Sequence, residues 1–325
     1  MRLISAAIAF VALLTAPCWS AAQERYPSRP VKLIVGSVPG GVHDIIGRLW
    51  AERVKATFSG FAIDNRGGAG GYIGAAETAI AKPDGYTIFL ASTSTHILVP
   101  ALITKPRYDP IKDFAPAAIF AGSSVSIVVS PTLAVNTLQE LIDHARANPG
   151  TLTSGTAGPG TITHVAGELF MQLAGGLKME PVHYKGAGPG LADLMSGHIP
   201  VFTPNVTSNV LQLHRAGKIR ILAIASPERL KAMPDIPTAI EAGVPGMVAR
   251  MFYGIVAPAG TPRAVLERIH QATEEAIRDE AFQQILIKAG FEPIVDLGLD
   301  QLVAYMIDES KRWTPIVKAT GAKID

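Results

Sequence analysis

Val31-Lys32-Leu33-Ile34-Val35 is followed by Gly36-Ser37-Val38-Pro39-Gly40-Gly41 and then by Val42-His43-Asp44-Ile45-Ile46. A short apolar run, a glycine-rich loop and apolar residues at helical spacing (Ile45, Ile46, Leu49, Trp50, Val54) read as strand, loop and amphipathic helix. The same order returns downstream. Thr151-Leu152-Thr153-Ser154 leads into Gly155-Thr156-Ala157-Gly158-Pro159-Gly160-Thr161, and Ile162, Val165, Ala166, Leu169, Phe170 and Leu173 then recur at spacings of three and four. A helix start leaves N–H groups without internal partners and carries the positive end of the helix dipole. Two such starts facing one another would hold an anion from both sides, a clamp suited to a carboxylate.

Outward from these loops the chain keeps alternating. Gly67-Gly68-Ala69-Gly70-Gly71 leads into a helix at residues 75–81, Pro83-Asp84-Gly85 makes a turn, and residues 86–90 read as a buried strand. Further strands are expected at 126–129, 181–184, 219–224 and 251–257, and helices at 137–147, 263–278, 280–289 and 299–314. Strands alternating with helices mark an α/β sheet. The 325 residues exceed one compact core and divide into two lobes. The first is expected to comprise residues 23–124 and 248–325, the second residues 125–247. The chain then crosses between lobes twice, which makes a hinge, and both glycine loops fall at the carboxyl ends of strands, where open α/β sheets bind ligands.

The first residues read as an export signal, with Arg2, an apolar stretch from Leu3 to Leu14, and Ser20-Ala21-Ala22 as a cleavage site near Ala22. That stretch is too short for a permanent membrane anchor. The only cysteine, Cys18, leaves with the signal, so the exported chain is expected to rest on its core rather than on disulfides. The expected location is the periplasm, as a monomer. A net charge of +2 without long basic runs gives no reason to expect a nucleic-acid partner.

Other chemistries are weaker. Ile73 stands where a dinucleotide fingerprint needs its third glycine, and no loop ends in Lys-Ser or Lys-Thr, so no nucleotide or other cofactor is expected. Ser92-Thr93-Ser94-Thr95-His96 is superficially nucleophilic but lacks a Gly-x-Ser-x-Gly elbow, and no catalytic residue is assigned. His164 and Glu168, four apart on one helix, could share a metal, but no second histidine completes a site and no metal is expected. His164 is expected to hydrogen-bond near its helix start. Asp44 is expected to cap the first helix or hold its loop while backbone N–H groups face inward, and His43 adds a hydrogen-bond donor beside them.

Taken together, these segments resemble the tripartite tricarboxylate transporter substrate-binding proteins, the Bug family of periplasmic receptors. The resemblance covers the chain after the signal. It rests on Tyr26-Pro27-Ser28-Arg29-Pro30, Pro39-Gly40-Gly41 with Asp44, Asn65-Arg66 with Gly68-Ala69-Gly70-Gly71, Pro83-Asp84-Gly85-Tyr86-Thr87, Ser94-Thr95-His96, Tyr184-Lys185-Gly186, Pro237-Thr238 with Glu241-Ala242-Gly243, and Ala257-Pro258-Ala259-Gly260-Thr261-Pro262. It implies an α/β, two-lobed, type II Venus-flytrap binding protein with two mixed sheets flanked by helices and two hinge crossings. Such a receptor hands a small carboxylate to membrane transporter subunits. By position, the ligand contacts it implies are Gly40, Gly41 and His43 with Asp44 behind them, Ser94 and Thr95 at a strand end, Thr156, Gly158, Gly160, Thr161 and His164 at the second loop, and Asn205 on the far wall. The family often has a third glycine and then Thr or Ser where this chain has Val42 and His43, and acidic residues where it has Pro200 and Pro204. Amino acids are therefore disfavoured, while di- or tricarboxylates and aromatic carboxylates are favoured. The alternatives are a ligand-sensing partner of a membrane signalling protein such as a sensor kinase, and a secreted hydrolase.

Overall fold

A computed structural model describes residues 26–319. The signal segment and its cleavage site lie outside the described residues. The apolar run forms β1 (Val31–Val35), the loop leads into α1 (Val42–Val54), and β2 (Phe61–Asn65) returns parallel to β1. The second glycine-rich stretch folds as a 3-10 turn and then α2 (Tyr72–Ala79). Next come β3 (Thr87–Ser92), a wide π-helical turn (Ser94–Leu98), α3 (Val99–Leu102) and the long β4 (Phe114–Ser124). The chain continues through β5 (Ser126–Val129), α4 (Leu138–Ala147), β6 (Thr153–Thr156), α5 (Ile162–Leu173), β7 (Glu180–His183), α6 (Ala187–Ser196), β8 (Val201–Phe202), α7 (Ser208–Arg215) and β9 (Arg220–Ile224). It closes with β10 (Arg250–Pro258), α8 (Arg263–Arg278), α9 (Glu280–Lys288), β11 (Glu292–Pro293) and α10 (Leu302–Ala319).

These strands form two mixed sheets, β11-β4-β10-β3-β1-β2 and β7-β6-β8-β5-β9. In the first, β1 pairs in parallel with β2 and β3, and β10 runs antiparallel between β3 and β4. In the second, β6 pairs in parallel with β7 and β8, and β5 is antiparallel to β8 and β9. The chain passes from sheet to sheet between β4 and β5 and returns between β9 and β10. The two passages touch: Val125 N–H donates to Ala249 O at 2.9 Å and Ala225 N–H donates to Val125 O at 2.8 Å. Beside them Glu292 accepts Ser124 Oγ–H at 2.8 Å and Arg250 Nη2–H at 2.6 Å, so one carboxylate braces both crossing strands.

Helices cover the sheets where their apolar faces require it. Trp50 of α1 is fully buried and donates its indole N–H to Thr273 Oγ1 of α8 at 3.0 Å, which fastens the helix after the first loop to the helix that follows β10. Leu138, Leu141, Ile142 and Ala145 bury one face of α4, and the Thr137 hydroxyl caps its start by accepting Glu140 N–H at 3.1 Å. Several expected bounds differ: the helix at 75–81 begins earlier, at Tyr72, and ends at Ala79, and the strand at 86–90 is Thr87–Ser92. The helix at 137–147 loses Thr137 to its cap, and the last helix continues beyond Thr314 through Pro315 to Ala319. Proline removes one hydrogen bond there but lies near the helix end, where few turns remain to be disturbed.

Candidate ligand-binding cleft

The first loop is built around Asp44, which is only 4% exposed. Its Oδ2 accepts Gly40 N–H at 2.8 Å, and its Oδ1 accepts Asn65 Nδ2–H and Arg48 Nε–H, both at 2.9 Å. Burial alone would raise this carboxyl, but the bonds from Arg48, Gly40 and Asn65 outweigh it and hold it below its ordinary range. Gly40 adopts a left-handed φ of 78°, and Gly41 N–H donates to Val38 O at 3.0 Å. Both glycine amides are thus committed within the loop. The first two amides of α1, those of Val42 and His43, have no acceptor among the described residues and are the open donors of this helix start.

His43 lies between this loop and the end of β3. Its Nε2 is 2.8 Å from Ser92 Oγ, and its ring meets Tyr253 of β10 edge-on at 5.5 Å. Burial lowers its pKa to about 4, so the ring is neutral near pH 7 and its contribution is a dipole rather than a charge. The π-helical turn carries the neighbouring candidates. Thr95 Oγ1 accepts Ser92 N–H at 3.0 Å and lies 2.9 Å from His96 Nδ1, so its hydroxyl shapes the turn. Ser94 instead reaches across to α5, where its Oγ accepts Ile162 N–H at 3.1 Å.

The second loop is also internally bonded. Thr156 Oγ1 accepts Gly158 N–H at 3.2 Å and contacts His183 Nδ1 at 2.8 Å, while His164 Nδ1 accepts Gly160 N–H at 3.1 Å. Thr161 caps α5, its Oγ1 accepting His164 N–H at 3.4 Å and donating to Gly158 O at 2.7 Å. Gly158 sits at φ 135° and Gly160 at φ 70°, backbone that a side chain would strain. Burial, then the neighbouring His183, lowers the His164 pKa to about 4. Glu168 Oε1 is 3.9 Å from His164 Nε2, and burial, then Glu180, raises its carboxyl. No group of three or more His, Cys, Asp or Glu that could hold a metal is present among the described residues. With Ile162 joined to Ser94, the amide of this helix start left without an acceptor among the described residues is that of Thr163.

The two helix starts therefore share one support. His43 leans on Ser92, Ile162 on Ser94, and the Ser92–Ser94 corner joins them. Contacts between the lobes continue outward: a Cβ on Gly70 would lie 3.5 Å from Thr161 Cγ2, and one on Gly186 would lie 4.0 Å from Val38 Cγ2. Asn205 bridges to Val125 at the crossing, is 6% exposed, and its Nδ2 has no hydrogen-bond partner among the described residues. A separate cavity of about 330 Å³ lies between Leu230 and Phe291; two of its lining cations are paired, Arg229 with Glu241 and Arg250 with Glu292, and Lys231 also lines it.

The sequence places ligand contacts on both glycine loops; in the structure the N–H groups of Gly40, Gly41, Gly158 and Gly160 are bonded within those loops, so these residues shape the turns. Ser92, Tyr253 and His183 were not selected. Ser92 stands in the quoted Ser-rich segment, whereas nothing local marks Tyr253, which reaches His43 only through strand pairing.

Residues 50–322 match the family described as "Tripartite tricarboxylate transporter family receptor". The chain belongs to this family. Among receptor relatives, protein BugT of Bordetella pertussis is 32% identical over 303 residues, covering 93% of this chain and 92% of BugT. The structure of R. palustris Rpa4515 with adipate superposes with a TM-score of 0.87 at 30% identity, over 92% of this chain and 100% of that one. MatC (Rpa3494) from Rhodopseudomonas palustris with bound malate gives a TM-score of 0.81 at 28% identity, over 90% and 100% of the two chains. These receptors share the two-lobed α/β architecture described above, and no helix among the described residues is long and apolar enough to cross a membrane.

Proposed function

We propose that this receptor captures a small carboxylate in the periplasm, as a monomer, and presents it to membrane subunits of a tripartite tricarboxylate-type transporter. The observation that carries the reading is the pair of helix starts joined at the Ser92–Ser94 corner, with the N–H groups of Val42, His43 and Thr163 open and a neutral His43 beside them. Hydrogen bonds to a charged acceptor contribute about 1.5–3 kcal/mol each, so three bring a small anion into the millimolar-to-micromolar range. Rpa4515 with adipate and MatC with malate support the choice of carboxylates.

Asp44 is spent on its own loop, and prolines stand at 200 and 204, so this cleft offers no evident partner for a ligand ammonium. We take residues 23–124 with 248–325, and residues 125–247, as the two bodies that close on the ligand. The Ser92–His43 contact has the spacing of a nucleophile and base. However, Ser92 is fully buried and the His43 pKa of about 4 makes it a poor base at neutral pH, which favours a receptor over a hydrolase. Calorimetry with malate, adipate, benzoate, glutamate and glucose, followed by analysis of the recovered ligand, tests the reading. Micromolar binding of at least one carboxylate other than glutamate, recovered unchanged, is expected; binding of glucose without any carboxylate response contradicts it.

A further inference from the structure

Ser94 does something that a ligand contact need not do. From the first sheet's lobe its Oγ meets Ile162 N–H at 3.1 Å, at the first helical residue of α5 in the other lobe. Its own hydrogen points to Met251 Sδ at 3.4 Å. Both residues are shut away from solvent, Ser94 at 2% exposure and Ile162 at 1%. A buried amide at a helix start is costly to leave without an acceptor, and here a hydroxyl oxygen supplies one. In the rest of the first turn His164 N–H donates to Thr161 O at 3.0 Å and Oγ1 at 3.4 Å and Val165 N–H donates to Thr161 O, while Thr163 N–H has no acceptor among the described residues.

We propose that Ser94 is a specificity-determining residue that stands in for a ligand oxygen at α5. With Ser94 seated, the lobes close over a ligand that has one carboxylate, held at α1, and the Ile162 amide stays satisfied. A ligand with a second carboxylate brings its own acceptor to α5 and displaces the hydroxyl. Ser94 therefore broadens the receptor toward monocarboxylates and gives the empty protein a closed state of its own. This inference rests on the carboxylate-binding reading for its ligand class, but the lobe-to-lobe bond itself does not depend on it.

Hexanoate and adipate, which have equal carbon number and differ by one carboxylate, are the probes. Ser94→Ala should weaken hexanoate about fivefold to tenfold and adipate less than twofold; equal losses for the two ligands, or none, overturn the proposal. Ile162→Pro removes the same bond from the other side, at a first helical position where proline is tolerated and after a residue, Thr161, whose ψ of 160° suits it. In that background Ser94→Ala should have no further effect on hexanoate, and persistence of its full effect contradicts the pairing. Ligand-free closure gives an independent readout. Expressed from Gln23 the chain has no cysteine, so Glu52→Cys and Asp143→Cys can be labelled for distance measurements between the lobes. Ser94→Ala should lower the ligand-free closed fraction severalfold; an unchanged fraction, or a parent protein wholly open without ligand, overturns the clasp. Failure of the parent protein to bind any carboxylate would instead strike the functional reading.

Discussion

Replacing Asp44 by Asn separates a carboxylate that builds the first loop from one that meets the ligand. Asp44 accepts three hydrogen bonds, from Gly40, Asn65 and Arg48. Asn keeps one acceptor oxygen but turns an amide group toward at least one donor. A buried donor left unpaired costs about 1–3 kcal/mol. The Arg48 side chain is 52% exposed, so screening limits its share to at most about 1 kcal/mol. The sum is about 2 kcal/mol for Asp44→Asn, or roughly 5 °C in Tm for a lobe of this size, and about 3–4 kcal/mol for Asp44→Ala. The carboxyl is held below its ordinary value of 3.8 in the folded protein. Its stabilisation is therefore present above that value and is lost as pH falls through the lower folded-state pKa, and the stability gap between parent and Asn variant should narrow there. Binding discriminates more sharply. If Asp44 faced an anionic ligand, removing its charge would tighten binding. If it only positions Val42 and His43 through Gly40, Asp44→Asn should weaken adipate or malate about fivefold to tenfold. Thermal unfolding and calorimetry on the same samples decide: unchanged Tm with equal or tighter binding would refute the reasoning.

Two further predictions concern the cleft's supports. Burial holds His43 near a pKa of about 4 against 6.5 unperturbed, so the unfolded chain binds the extra proton between these values, and the stability from keeping the ring neutral is complete only above 6.5. From this residue alone, stability at pH 5 should fall about 2 kcal/mol below that at pH 7.5, and His43→Gln should show a correspondingly shallower slope of stability against pH; identical slopes would refute it. Gly71 lies at φ 93°, and a Cβ there would stand 2.6 Å from Thr95 Cγ2 and 2.9 Å from Gly36 O, so Gly71→Ala should cost about 2–3 kcal/mol by thermal unfolding and loosen the turn that carries Ser94; a loss under about 0.5 kcal/mol would be inconsistent with that packing.

Sequence periodicity located the elements that expose a clear face. The run Val31–Val35, the stripe through Trp50 and the strand Ser126–Val129 stand where the pattern puts them, because each buries a contiguous apolar set against one sheet. Among the elements it did not predict, β8 and β11 are two residues each, and Glu292–Pro293 becomes a strand only because Gly122 and Ala121 of β4 receive it. The helices Val99–Leu102 and Ser208–Arg215 are short and were not predicted either. The 11-residue β4 carries alanine, glycine and serine rather than an alternating pattern, so its length is set by its neighbours β10 and β11. The cleft divides in the same way. The glycine loops are legible because left-handed turns at helix starts require such residues. Which amides they leave open depends on Asp44, Thr156 and His164 turning back on the loops, and the link from Ser94 to Ile162 joins residues 68 positions apart.

The central claim, that the carboxylate groups of the ligand are held at the starts of α1 and α5 by the amides of Val42, His43 and Thr163, is tested most directly by amide NMR during titration with adipate. The account predicts that those three N–H signals show the largest downfield shifts, while Gly40 N–H, already bonded to Asp44, moves little. Saturable binding whose largest shifts lie elsewhere, for instance around Leu230 and Phe291, would contradict it.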